Sequence, residues 1–360
     1  MDFSYTDAQE ALSSLAREVL LHWSNANPAP DAAGFDRALW ASIAQAGLLE
    51  AALPASAGGT GFGLLEQCSI LVEIGRTVAP VPYLSSIATS AATVAEFGNH
   101  DQIQRWVLPV LRGQATIAPA LGGEFISFSA TRTATGWRLN GSLGVVPGGA
   151  YASAYLVAAQ SDEGVVLAVL DRDMPGVDIA QQHIVDGTDA VLLILTDAPV
   201  QVDAVVGQPG DGGADWAKRR ATIAWTAYQL GITERMLELT AEYAHQRTQF
   251  GKPIGSFQAV RQRLADAYID VDAIRLALWQ AAWLESEEPG ADAEVAIAKF
   301  WAAEAGHRVA HTAVHVHASV GIYLDFPVQR YFVAAKRAEF ALGGAGVQLR
   351  RLGTLMAAEA

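Results

Sequence analysis

The sequence predicts an α+β fold in three parts: a helical region over 1–115, an antiparallel β region over 116–213 and a four-helix bundle over 214–360. Three observations predict it. Apolar residues recur every three or four positions at both ends of the chain, the middle alternates with period two between turn signals, and no long helical pattern interrupts the strands. The last point argues against parallel βαβ units and for an antiparallel sheet or barrel. At 360 residues the chain exceeds one ordinary core, so two or three domains are expected.

In "SYTDAQEALSSLAREVLLHW" Asp7 is placed to cap a helix whose Leu12, Leu15, Val19 and Leu20 share one face. "FDRALWASIAQAGLLEAALP" and "LLEQCSILVEIGRTV" repeat the period. The glycine-rich "ASAGGTGFG" between them lacks the spacing of a phosphate-binding loop and follows no strand, so a mobile connection is expected. "DQIQRWVLPVLRG" closes the first part.

From about Thr116 the period shortens. Thr135-Gly136 and Asn140-Gly141 read as turns, and "GVVLAVLDRDMPGVDIA" and "AVLLILTDAPVQVDAVVG" as further strands. Gly207 to Trp216 reads as an exit linker. Beyond Ala214, Ile223, Ala227, Leu230, Glu234, Leu237, Ala241 and Ala244 form a stripe that only the glutamate interrupts. Three more helices are expected, beginning near Ser256, Ala291 and Asp325, where Asp325 is placed as a cap.

Composition narrows the function. A net charge of −14 leaves no basic stripe for nucleic acid, though a local pocket for an anionic cofactor stays possible. Charged residues make up only 17% of the chain and hydrophobic ones 51%, which suits either one large core or a surface covered by a partner chain. The single cysteine, Cys68, rules out an internal disulfide and a cysteine-based zinc site. No membrane insertion is expected, for no apolar run reaches spanning length, and "MDFSYTDAQEAL" lacks the basic start of a secretory signal. A cytoplasmic protein is the simple reading.

One stretch asks for more than a helix connection. "QRTQFGKPIGSFQAVRQRLADAY" interrupts the bundle with Arg247, Gln249, Phe250 and Gly251, then resumes with Phe257-Gln258 and Leu264-Ala265-Asp266. With "GNHDQIQRWVLPVLRGQATIA" before the strands and "VGIYLDFPVQRYFVAAKRAEFALG" near the end, the whole chain resembles the acyl-CoA dehydrogenase family. The resemblance implies FAD lying across a subunit interface, an acyl-CoA thioester as substrate and an electron-transfer flavoprotein as acceptor. It also implies that Arg247 reaches the FAD diphosphate of a neighbouring chain, that Phe250 walls the adenine end, and that Gln249 and Gln258 supply amide hydrogen bonds. The alternative for Arg247 is a surface ion pair at a helix joint.

The departures from the family pattern are as informative. The usual base, a carboxylate near the carboxy terminus, is replaced by Leu342 in "FALGGAG", and the alternative position on the first bundle helix holds Arg219. The diglycine stretch that approaches a partner's flavin reads "HVHASVG", which keeps Gly321 but puts Ala318 and Ser319 at the glycine positions. Glu339 and Glu234 remain as candidate displaced bases, each with a salt bridge as its plainer role. His311, His315 and His317 read as a buried polar cluster at a subunit seam rather than a metal site.

The resemblance therefore extends to the non-catalytic partner chain of heteromeric, steroid side-chain type acyl-CoA dehydrogenases, whose related catalytic chain supplies the base. A self-sufficient homomeric dehydrogenase with a displaced base and a flavin-free scaffold of the same fold remain the alternatives.

Overall fold

The computed structural model describes residues 4–27, 35–51, 53–185, 187, 190–288 and 290–359. Along the chain come helices, a β-sheet region and a helical bundle. By contacts the chain divides into two compact units: Met1–Asp31, Cys68–Ala79 and Trp225–Ala360 form one, Ala32–Gln67 and Pro80–Ala224 the other.

The first unit opens with α1 (Asp7–Ala26). Its cap is Thr6, not Asp7: Thr6 Oγ1 accepts from Gln9 N at 3.1 Å, and Gln9 Oε1 accepts from Thr6 N at 2.9 Å. A hydroxyl with a glutamine three residues on satisfies two free N–H groups reciprocally, which leaves Asp7 as a favourable first-turn acid. Leu12, Ala16, Leu20 and Trp23 make the buried face.

The bundle consists of α7 (Gly213–Gln246, of which this unit holds the part from Trp225), α8 (Gln258–Glu287), α9 (Asp292–His317), α10 (Pro327–Phe340) and α11 (Ala345–Glu359). The expected last helix is thus two. Leu342 and Gly343 take φ of 56° and 98°, a left-handed pair that no helix continues through. Helix α9 packs against α8, α10 and α11 and carries alanines on its buried faces. The α7 stripe proves too narrow a description, since the helix is buried nearly all round between Ala221 and Thr233. Glycines set its crossing with α3 (Leu64–Thr77): a Cβ on Gly75 would stand 2.2 Å from Tyr228 O, and one on Gly231 2.0 Å from Val72 O. Asp325 caps nothing. The residue before α10 is Phe326, with no side-chain cap, and Pro327 starts the helix without needing a partner for its nitrogen.

In the second unit, α2 (Arg37–Gln45) is capped by Asp36, whose Oδ1 accepts from Leu39 N at 2.9 Å. The glycine-rich connection is a hydrogen-bonded turn rather than a loose one: Gly59 N, Thr60 N and Gly61 N donate to Pro54 O, Glu50 O and Leu53 O. Gly59 lets the chain double back, since a Cβ there would meet Leu53 O at 2.1 Å. Wide, π-type turns over Tyr83–Ala91 run into α4 (Ala92–Phe97), and α5 (His100–Gln102) and α6 (Leu108–Leu111) flank a second such stretch.

The sheet has seven strands among the described residues: β1 (Ile117–Ala120), β2 (Phe128–Thr133), β3 (Gly136–Pro147), β4 (Ala154–Ser161), β5 (Gly164–Asp171), β6 (Val177–Gln182) and β7 (Ala190–Gln201). Four pairings are antiparallel, as expected, but β1 and β2 both run parallel to β4. Antiparallel β5 takes one edge of β4, and β1 and β2 share the other end to end, so the sheet is mixed. The Thr135-Gly136 turn is present between β2 and β3, whereas Asn140-Gly141 is a bulge within β3. There Asn140 Oδ1 accepts from Asp197 N at 2.8 Å, and Gly141 leaves room for Ser127 O, which a Cβ would approach to 2.4 Å.

Candidate functional site

Helix α7 ends where its interior runs out of apolar partners. Arg247 N donates to Tyr243 O at 2.8 Å, and Ile254 N returns to Arg247 O at 2.8 Å. Between them β8 (Thr248–Gln249) and β9 (Lys252–Pro253) pair antiparallel around the two-residue turn Phe250-Gly251. Both turn residues have positive φ, 52° and 78°, as a type I′ hairpin requires. Glycine takes that conformation freely; phenylalanine does not, and the turn holds it there.

This hairpin points its chemistry away from its own chain. Phe250 is 92% exposed and touches only the edge of Phe257, at 6.2 Å between ring centres. Arg247 is exposed, and its guanidinium meets no carboxylate among the described residues, so the surface ion pair is not formed. Gln249 is exposed, with Nε2 donating to Thr248 O at 2.8 Å, and Gln258 is exposed as the first residue of α8. Lys252 adds a second cation, its Nζ 4.6 Å above the Phe257 ring. A forked cation without a partner, a bare aromatic face and two amides form a donor set suited to a diphosphate-bearing, ring-containing ligand.

A stack of rings ties this end of α7 to the end of α9. The Tyr243 ring lies on His317 at 4.3 Å and 25°, and Phe326 meets His317 edge-on at 5.4 Å. His317 Nδ1 lies 2.8 Å from Ala313 O, which fixes the proton on that nitrogen, and burial pushes the imidazole below its usual range. The 3₁₀ turn Ala318–Ile322 follows. Gly321 is buried there, because a Cβ would crowd His317 Cβ at 3.0 Å and Val314 at 3.2 Å. Ala318 holds φ 55° and ψ −139°, a glycine conformation on an alanine. Ile322, Tyr323 and Leu324 are exposed beside it. Sequence reasoning named Arg247, Gln249, Phe250, Gln258 and Gly321 individually and missed the stack of Tyr243, His317 and Phe326, since Tyr243 and His317 lie 74 positions apart in the numbering.

The two candidate bases are elsewhere, and both carboxylates are engaged. Glu234 sits between Arg76 Nη1 at 2.9 Å and Arg275 Nη2 at 3.0 Å. Glu339 bonds Lys336 and lies 3.2 Å from His307 Nδ1. Leu342 has an apolar side chain on a left-handed backbone, and Arg219 is buried. The three histidines do not form a cluster. His311 stands 4.2 Å from His307 and is exposed, as is His315, while only His317 is buried. The spacing of four keeps His311 and His315 on one exposed face of α9, and the further two residues turn His317 to the opposite, buried side. Among the described residues no group of side chains could hold a metal ion, and no helix is long and apolar enough to cross a membrane.

Known proteins share this architecture. The descriptions "Acyl-CoA dehydrogenase, N-terminal domain" and "Acyl-CoA dehydrogenase, C-terminal domain" match residues 6–114 and 216–356. The chain is 44% identical to acyl-CoA dehydrogenase FadE27 of Mycobacterium tuberculosis, over 99% of both chains. Among solved structures, a chain of the ChsE4-ChsE5 complex from Mycobacterium tuberculosis matches with TM-score 0.93 and 45% identity over 99% of each chain. A chain of a Tcur3481-Tcur3483 steroid ACAD variant matches with TM-score 0.90 and 35% identity over 98% of each.

Proposed function

The chain belongs to the acyl-CoA dehydrogenase family, and from that premise we propose that it is the partner-type subunit of a heteromeric dehydrogenase acting on a steroid side-chain thioester. The family is one of FAD-binding flavoproteins. In this reading Arg247 and Phe250 complete an FAD site held mainly by a related chain, and that chain carries the base. Bound FAD would take the hydride from the acyl β-carbon; this chain's part is to hold and orient it. Arg247 sets its fork against the diphosphate, Phe250 covers an apolar face, and Gln249 and Gln258 supply amide hydrogen bonds. An electron-transfer flavoprotein is the acceptor this reading implies.

The single observation that carries the reading is the hairpin. An arginine that meets no carboxylate among the described residues and a 92% exposed phenylalanine stand together on this two-stranded turn. The occupied carboxylates of Glu234 and Glu339, with Leu342 and Arg219 at the family's base positions, weigh against a self-sufficient homomer.

The test is an absorbance spectrum with FAD counted per chain and the mass in solution, for the chain purified alone and co-expressed with a related base-bearing chain. Colourless protein alone, and yellow, active protein on co-expression, is the expected outcome. Stoichiometric FAD with acyl-CoA turnover by the lone chain overturns it in favour of the homomer. Colourless protein in both preparations leaves the flavin-free scaffold. Within the complex, Arg247→Ala is expected to weaken FAD binding at least tenfold, about what loss of a charge-assisted bidentate contact implies, while the melting temperature of the lone, FAD-free chain stays within a degree or two.

A further inference from the structure

The joint between α10 and α11 is held by two buried side chains that reach it from different helices. Lys299, fully buried on α9, donates from Nζ to Ala338 O at 2.9 Å and Glu339 O at 3.0 Å, the carbonyl end of α10. Gln348, buried on α11, donates from Nε2 to Leu342 O at 3.1 Å and Gly343 O at 3.2 Å. Between them runs Ala341–Gly344, with Leu342 left-handed at φ 56°. A non-glycine residue keeps such a conformation only where its surroundings hold it. Among the described residues no carboxylate hydrogen-bonds the amine. Its neighbours on α9 and α10 include Val295, Ala296, Ala302, Ala303 and Ala338, all buried and apolar.

We propose that Lys299 is a proton-operated latch on this joint, closed while its amine is neutral and released when the amine is protonated. A neutral amine satisfies both carbonyls with its N–H groups and leaves no charge in the apolar pocket. An ammonium makes stronger hydrogen bonds, but only two of its three protons have acceptors among the described residues, and it gives up its hydration. Burial dominates: it lowers Lys299 from 10.5 to about 7, and the Glu339 charge opposes this only in part. The other charged groups of the surrounding helices engage elsewhere. Lys336 and His307 bond the Glu339 carboxylate, Arg337 lies over Trp225, Arg351 pairs with Asp292, and Glu285 on α8 accepts from Gly290 N and Ala291 N.

The direction follows from linkage. The closed joint binds its proton less tightly than an open one whose lysine reaches water, so each proton taken up favours opening. Opening therefore grows as pH falls from about 10 to 7, by up to about tenfold per unit, and levels off below 7. What the latch governs is the conformation of Leu342, Gly343 and the exposed Phe340.

The test is amide hydrogen exchange of peptides spanning 337–348 in the full chain from pH 6 to 9, corrected for intrinsic exchange. Protection is expected to rise up to about tenfold per pH unit above 7 and to be flat below it. In Lys299→Met it should be flat throughout, and in Glu339→Gln the rise should begin at lower pH. Gln348→Ala should lower protection at every pH and keep the slope. Protection in the wild type that does not vary with pH overturns the latch, and so does a slope that survives in Lys299→Met. If that variant does not fold, the wild-type lysine ¹³Cε resonance decides instead: titration of Lys299 near 7 supports the proposal, and titration above 10 overturns it.

Discussion

Glu234 shows how a residue that looks anomalous in the sequence is explained by its neighbours. A glutamate in an otherwise apolar stripe invites a catalytic reading, but the carboxylate bridges Arg76 on α3 and Arg275 on α8, with both distances near 3 Å. Glu234→Gln is expected to cost about 1 kcal/mol in denaturant unfolding, since Arg76 and Arg275 each lose one carboxylate but keep Glu238 and Asp272, and to leave FAD content of the complex unchanged. A loss of turnover without a loss of stability would return Glu234 to the list of bases. Ala318 is the opposite case, a residue that costs stability where it stands. Its φ of 55° with ψ of −139° belongs to glycine, so Ala318→Gly is expected to stabilise the chain by about 1 kcal/mol, read from the unfolding midpoint at constant slope.

At the scale of elements, the close crossing of α3 and α7 depends on two glycines that sequence periodicity does not flag. Neither Val72 O nor Tyr228 O can retreat from a Cβ at about 2 Å, because each is backbone in a packed helix. Gly231→Ala is therefore expected to destabilise by about 3 kcal/mol and Gly75→Ala by a similar amount, with the double variant costing less than the sum because one separation of the helices relieves both clashes. Long helices and strands were legible because each buries one face and so imposes a period. The stretch Tyr83–Ala91 was not: its serines, alanines and threonine are buried on every side, and an element without an exposed face has no stripe to read. Asn140-Gly141 misled for a related reason. The dipeptide specifies a backbone shape, and a bulge needs that shape as much as a hairpin does. The break between α7 and α8 was legible through Arg247, Gln249 and Phe250, residues unlike those of a plain helix joint, but its two short paired strands were not. Lys299 gave only the faint signal of one lysine in the run "VAIAKFWAA", and its partners are backbone carbonyls, which no sequence displays.

For the whole molecule, the charge balance and a few buried groups set how stability varies with pH. The acid side is governed by carboxylates such as Glu238. Burial pushes this carboxyl up, yet hydrogen bonds from Arg235 and Arg76 outweigh it and hold the group below its usual range. Its contribution is present above the unfolded value and is lost as pH falls through the folded one. On the other side of neutrality Lys299 gives a slope of the same sign, because its folded value too lies below the unfolded one. An unfolded chain keeps the lysine protonated to about 10.5, and the folded chain only to about 7, so between those values unfolding takes up a proton. Stability is therefore expected to rise from pH 7 to 9, by an amount on the order of a few kcal/mol at most. A chain carrying a net charge of −14 has a competing tendency, because self-repulsion grows as further groups lose protons. The two effects separate by salt. Repulsion across the surface is screened at 1 M, where the Debye length is about 3 Å, while a fully buried amine is not. In 1 M NaCl the rise in unfolding free energy between pH 7 and 9 should be undiminished in the wild type and absent in Lys299→Met. A rise that vanishes with salt would assign it to exposed charge pairs rather than to the buried amine, and a Lys299→Met variant that keeps the rise would assign it to another buried group.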